Sequence, residues 1–133
     1  MAVAFLISDS TFYERWQRPE PPEIRDDTRY ARGETAYPIL IFQTDALDDR
    51  GHVALTYDLT VTKPDGSHYA GTPATGLLAW EGVPPPGLVL ALSKVSVVIE
   101  DDDPLGLYGV DIVLHDRIRG QSVPLSLAFE VSE

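Results

Sequence analysis

Two runs of carboxylates are the first residues in this chain with chemistry to offer. One is Glu100-Asp101-Asp102-Asp103; the other gathers Asp45, Asp48 and Asp49. Dense carboxylate oxygens suit Ca²⁺, a hard cation that takes about six to eight oxygen ligands, so Asp101, Asp102 and Asp103 are candidate ligands. Neither run has the spacing of a calcium loop, and the competing reading is a solvated turn with Asp103 capping a corner. The histidines form a second constellation. His52 follows the Asp45–Asp49 run and His115 precedes Asp116, so Asp49, His52, His115 and Asp116 could offer nitrogen and oxygen to a divalent metal. No two of them stand at a diagnostic spacing, and exposed loop residues are the alternative. His68 falls in a separate turn.

Covalent catalysis has little to work with. The chain has no cysteine, which removes disulfides, thiolate metal sites and thiol nucleophiles. There is no Gly-x-Ser-x-Gly elbow and no glycine-rich phosphate loop. Paired carboxylates occur, but no pattern marks an apolar pocket that would raise one of their pKa values. The expectation is a protein that is not an enzyme and carries no cofactor.

The aromatic residues are the other candidates. Phe12, Tyr13 and Trp16 lie in a stretch without a clean period, and Trp80 stands just before Pro84-Pro85-Pro86. Exposed tryptophan and tyrosine stack on sugars or anchor a protein partner. They equally serve to cover an open edge of a core. A binding surface, if present, is expected at Tyr13, Trp16 and Trp80 and the neighbouring proline loops.

The elements that must position these residues are strands. Val53, Leu55, Tyr57, Leu59 and Val61 alternate with Ala54, Thr56, Asp58, Thr60 and Thr62, the period of two that a half-buried strand requires. Lys63-Pro64-Asp65-Gly66 supplies a turn, and Ser67–Ala70 is expected to return as a short strand. Tyr108, Val110, Ile112 and Leu114 share one face, and Val123, Leu125, Leu127, Phe129 and Val131 another. Residues 107–131 therefore read as a long antiparallel hairpin, with Pro124 marking an edge or a bulge. Val3–Ser8, Thr35–Gln43, Gly76–Glu81 and Ala91–Glu100 complete the strands, and Arg18–Ala31 and Val83–Gly87 read as loops. No segment carries a sustained helical stripe. About seven or eight short strands predict an all-β antiparallel sandwich.

Size and charge bound the rest. The 133 residues suit one domain, 1–133, and 44% hydrophobic content is enough for a packed core. Acidic residues outnumber basic ones 21 to 10, and the net charge of −11 disfavours nucleic acid and anionic membrane surfaces. Met1–Ile7 is too short to span a bilayer and lacks the basic start of a signal peptide, so no membrane insertion is expected.

Asp103-Pro104-Leu105-Gly106-Leu107-Tyr108 leads into the long hairpin and resembles the tyrosine corner of immunoglobulin-like domains, with Tyr108 and Gly106 in its structural positions. Val110 stands where immunoglobulins place a cysteine, so the resemblance is to disulfide-free relatives such as fibronectin type III, macroglobulin-type and bacterial immunoglobulin-like modules. Tyr57-Asp-x-x-Val61-x-x-Pro64-Asp65-Gly66 together with Asp103–Tyr108 also resembles small uncharacterised bacterial proteins of the exported kind. The resemblance implies a Greek-key immunoglobulin-like β-sandwich. It implies a periplasmic or secreted location if a signal peptide has been removed, and a cytoplasmic one otherwise. The functional expectation is a non-catalytic module that binds a protein partner, or a second copy of itself through an edge strand. The alternatives are a carbohydrate- or ligand-binding sandwich using its exposed aromatics, and a Ca²⁺-stabilised structural domain.

Overall fold

The computed structural model describes residues 2–8, 12–16, 28–43 and 49–133. It is an all-β chain with two sheets around one main core. The strands are β1 Ala2–Ile7, β2 Arg29–Ala31, β3 Thr35–Phe42, β4 Val53–Thr62, β5 Ala74–Gly82, β6 Val89–Leu90, β7 Val97–Val98, β8 Gly106–Asp116 and β9 Gln121–Ser132. A single turn of helix, α1 Phe12–Trp16, follows β1. The first sheet has the order β1-β3-β6, with β7 also pairing β3; the second has the order β2-β9-β8-β4-β5.

The alternating pattern of β4 translates directly into burial. Val53, Leu55, Tyr57, Leu59 and Val61 are all buried and their neighbours are half-exposed. Opposite them, Tyr108, Val110, Ile112 and Leu114 of β8 fill the second sheet's share of the core. β8 and β9 form the expected hairpin, paired from Gly106↔Val131 to Asp116↔Gln121. β9 meets β2 only at residues 130–132, so Pro124 lies on a stretch with no named strand on its other side. A residue without an N–H is tolerated there.

Four local readings are corrected. The Arg18–Ala31 loop ends in a strand, because Arg29–Ala31 pairs with β9, and it does so in parallel, so the sheets are not wholly antiparallel. Phe12–Trp16 is helical; five residues are too few to show a 3.6 period. Ser67–Ala70 makes only one isolated bridge, Thr62↔His68. Ala91–Glu100 is not one strand. Ala91 N–H still bonds to Leu40 O of β3, but Leu92 N–H donates to Ala79 O and Ser93 N–H to Leu78 O, both on β5. The Ser93 hydroxyl accepts from Leu78 N–H, and the Ser93 carbonyl accepts from the Tyr57 hydroxyl. The chain thus leaves the first sheet, caps the open side of β5, and returns to β3 as β7.

β3 is buried on both faces. Ala36, Leu40 and Phe42 point into the main core. Ile39 and Ile41 point outward and are covered by Phe12 of α1, which is fully buried against them and Ile7. The short helix is therefore held by packing rather than by its own backbone propensity. Phe12→Ala opens a cavity over Ile39 and Ile41. It is expected to lower unfolding free energy by about 3 kcal/mol in denaturant titrations, and to raise binding of an apolar dye in the native baseline.

Candidate functional site

Phe12 fixes the pose of α1, and α1 then presents its neighbours. Phe12 meets Tyr13 edge-on at 6.2 Å and Trp16 at 6.0 Å between ring centroids. Tyr13 and Trp16 are half-buried at the margin of this small outer cluster. Trp80 arrives from β5, where its indole N–H donates to Val83 O at 3.0 Å. That bond commits the ring's polar edge and fixes the indole before the proline run.

Tyr13 and Trp16 of α1 and the sequence-distant Trp80 line one cleft of about 320 Å³ together with Pro85, Leu88 and Lys94. Leu88, Leu92 and Val83 around it are exposed at 47%, 48% and 64%. Solvent-facing aliphatic side chains gathered at a concave aromatic wall are the surface pattern of a ligand site. Lys94 Nζ sits 4.7 Å from the Tyr13 ring centre, a cation–π distance. Among the described residues no carboxylate pairs with it. Lys94 brings a positive charge to an apolar cleft in a chain of net charge −11, and Glu14 lines an adjoining concavity with the same lysine. Burial, reinforced by the neighbouring Tyr37, pushes the Tyr13 phenol up to about 12, so it stays a neutral donor. Behind the cleft wall, burial and then Tyr13 hold the Tyr57 phenol well above its ordinary value, consistent with its donation to Ser93 O at 2.7 Å.

The acidic run at residues 100–103 lies elsewhere and is divided in its roles. Asp101 and Asp102 are exposed. Asp103 is buried, with Lys63 Nζ 2.7 Å from Oδ1 and the Glu100 N–H 2.8 Å from Oδ2. Arg32 Nε donates to its carbonyl at 2.9 Å. Its oxygens are thus committed within the fold, and among the described residues no group of three or more potential metal ligands occurs. Asp49, His52, His115 and Asp116 likewise do not assemble as a ligand group. His115 is held between Asp58 and Ser122. Asp116 Oδ1 accepts the Ile118 and Arg119 N–H groups that close the β8–β9 turn. Asp45 and Asp48 lie outside the described residues.

Tyr108 and Gly106 stand beside Asp103 at the corner before β8. The Tyr108 hydroxyl donates to Pro104 O at 2.7 Å, and its ring stacks on Phe129 at 5.0 Å. Gly106 has φ +128°, a conformation that side chains rarely adopt, and a Cβ there would stand 3.2 Å from the Pro64 ring.

Reasoning from sequence missed two features of the second sheet. One is the capping of β5 by Leu92 and Ser93. The other is a hydrogen-bonded chain across its outer face, from Asp58 through His115 to Ser122. Its members are 57 and 7 residues apart, and no local motif links them.

No family model matches the chain, and no curated protein matches its sequence. Among solved structures it is similar to a family 123 glycoside hydrolase from Clostridium perfringens, described for its hydrolysis of glycolipid glycans. The TM-score is 0.55 and the identity 10%, covering 98% of this chain and 27% of that one. The chain therefore spans about a quarter of that protein, and at this identity the likeness concerns the fold alone.

The Lys63–Asp103 pair sets a pH dependence. Burial alone would push the Asp103 carboxyl up, but Lys63 and the Glu100 N–H outweigh it and hold the value below the ordinary 3.8. The folded state then binds fewer protons than the unfolded one. The pair's contribution is complete above the unfolded value and is lost as pH falls through the folded value. Stability of the native chain is expected to drop more steeply below about pH 4 than that of Lys63→Met, measured by urea unfolding across acid pH.

Proposed function

We propose that this chain is an immunoglobulin-like binding module that seats an extended apolar segment of a protein partner in the Tyr13–Trp16–Trp80 cleft. Lys94 would pair with a carboxylate on that segment. The convergence of two half-buried aromatics of α1 with Trp80 of the distant β5 in one cleft is the observation that carries this reading. Aromatic anchors in a concave, largely apolar surface supply most of the energy in such contacts. The immunoglobulin-like assignment is supported by the strand orders β1-β3-β6 and β2-β9-β8-β4-β5 and by the Tyr108–Pro104 bond.

Pairing of a partner with a sheet edge is the weaker version. On β5 the outward groups at Leu78 and Ala79 already bond to Leu92 and Ser93, and on β9 Pro124 interrupts the row of donors. A second copy of the chain is also disfavoured as the partner, because each copy carries −11. Sugar stacking on the indoles is the alternative class, and the likeness to part of a protein that acts on glycans makes it worth an arm of the test.

The test selects binders from a random peptide library and, in parallel, titrates a glycan panel against tryptophan fluorescence. Expected are peptides combining large apolar residues with Asp or Glu, which bind Trp80→Ala about thirtyfold more weakly, the loss typical of a hot-spot tryptophan. Lys94→Met should cost affinity for the acidic peptides and not for their amide counterparts. Peptides that bind Trp80→Ala as well as the native chain, or a response to glycans alone, would overturn the proposal.

A further inference from the structure

The outer face of the second sheet holds a second arrangement. Ser122 of β9, His115 of β8 and Thr56 of β4 lie in one row, as the pairings His115↔Ser122 and Thr56↔His115 require. The Ser122 hydroxyl is 2.7 Å from His115 Nδ1, and Asp58 Oδ2 is 2.9 Å from His115 Nε2. Asp58 is itself fixed, since Gly76 N–H donates to its other oxygen at 2.9 Å. The Gly76 N–H and then His115 hold the Asp58 carboxyl below its ordinary value, so at neutral pH it is an acceptor. A carboxylate that only accepts requires an imidazole proton on Nε2; in the neutral ring Nδ1 is then the lone-pair nitrogen, free to accept from the Ser122 O–H.

We propose that Ser122, with His115 as general base and Asp58 as its positioning residue, is a nucleophile for acyl transfer from small activated esters. The arrangement meets the geometric definition of an activated hydroxyl: nucleophile to base, base to orienting acid, each within hydrogen-bond reach. Two further features adjoin it. Arg117 Nε donates to Thr56 Oγ1 at 3.1 Å, which places a guanidinium at the β4 end of the row, where its charge helps to keep the Asp58 carboxyl ionised. A shallow concavity of about 170 Å³ lies on the far side of Thr56, between β4 and β5, and Ser122 itself stands on the open, exposed face of β9.

In the step, Ser122 Oγ bonds to the ester carbonyl carbon while its proton passes to His115 Nδ1. The C–O bond to the leaving group then breaks, and the imidazolium returns its proton to the departing oxygen. Water repeats the sequence on the acyl-serine, with His115 again taking and returning the proton. The free acid leaves and the hydroxyl is restored.

Ser126 supplies an internal control. It lies on the same strand and is exposed, but its hydroxyl donates to Asp111 at 2.8 Å with no imidazole in between. The test treats the intact chain with a fluorophosphonate and, separately, with p-nitrophenyl acetate, and maps adducts by peptide mass. Expected is labelling of Ser122 and not of Ser126. The label should be absent in Ser122→Ala, and slower by about a hundredfold in His115→Gln, the usual share of a general base. Asp58→Asn should slow it as well, with melting temperatures of all three variants confirming that they fold. Label spread evenly over Ser122, Ser126 and Ser67, acylation at Lys94 instead of Ser122, or an unchanged rate in His115→Gln would overturn the inference.

Discussion

One ion pair ties the two most distinctive sequence motifs of this chain together. Lys63 opens the Pro64-Asp65-Gly66 turn after β4, and Asp103 opens the corner before β8. Their 2.7 Å contact, with Gly106 close under Pro64, brings both turns to the same pole of the molecule. β4 and β8 run side by side from there through eight residue pairs, Thr62↔Gly109 to Leu55↔Asp116. The pair's value lies less in net attraction than in what its loss would leave. A nearly buried carboxylate without its ammonium is far costlier than an exposed one. The corner is over-determined: the Tyr108 hydroxyl, the Arg32 guanidinium and the Glu100 N–H all bind backbone or side-chain atoms of the same short segment.

At the cleft the determining force is different. Packing, not charge, sets its shape. Phe12 covers a face of β3 that would otherwise expose Ile39 and Ile41, and in doing so it positions Tyr13 and Trp16. From the other direction, the passage of residues 91–93 from β3 to the side of β5 brings Leu92 and Lys94 next to Trp80. The wall of the cleft is thus a by-product of two solutions to burial problems, one on each sheet. Val83, Leu88 and Leu92, three of the eight large hydrophobic side chains exposed among the described residues, gather in this region.

Long elements were legible in the sequence, and contacts between short ones were not. The period of two in Val53–Val61 and in Tyr108–Leu114 survives because each strand has a single buried face. The Gly106-x-Tyr108 spacing was informative because the corner needs a positive φ and a hydroxyl at fixed positions. β2 and α1 have three and five residues and cannot display a period. In 95–99 the alternation of Val95, Val97 and Ile99 looks like part of one strand, and nothing local reveals that Ser93 has turned to β5. Tyr13, Trp16 and Trp80 were individually recognisable as candidates. Their convergence depends on non-local packing that the sequence does not display.

The parallel contact of β2 with the last residues of β9 has a mechanical side. Arg29, Tyr30 and Ala31 run in the same direction as Glu130, Val131 and Ser132. Tension between the two ends of the chain reaches β2 only once β1 has parted from β3; it then draws β2 backward and β9 forward, along the strands rather than across them. The three pairs are then loaded together in shear instead of being peeled one by one, and Tyr30 packed edge-on against Phe129 at 5.5 Å resists the same displacement. A small patch of ladder at the edge of the second sheet is thus oriented to part all at once under such a load rather than pair by pair.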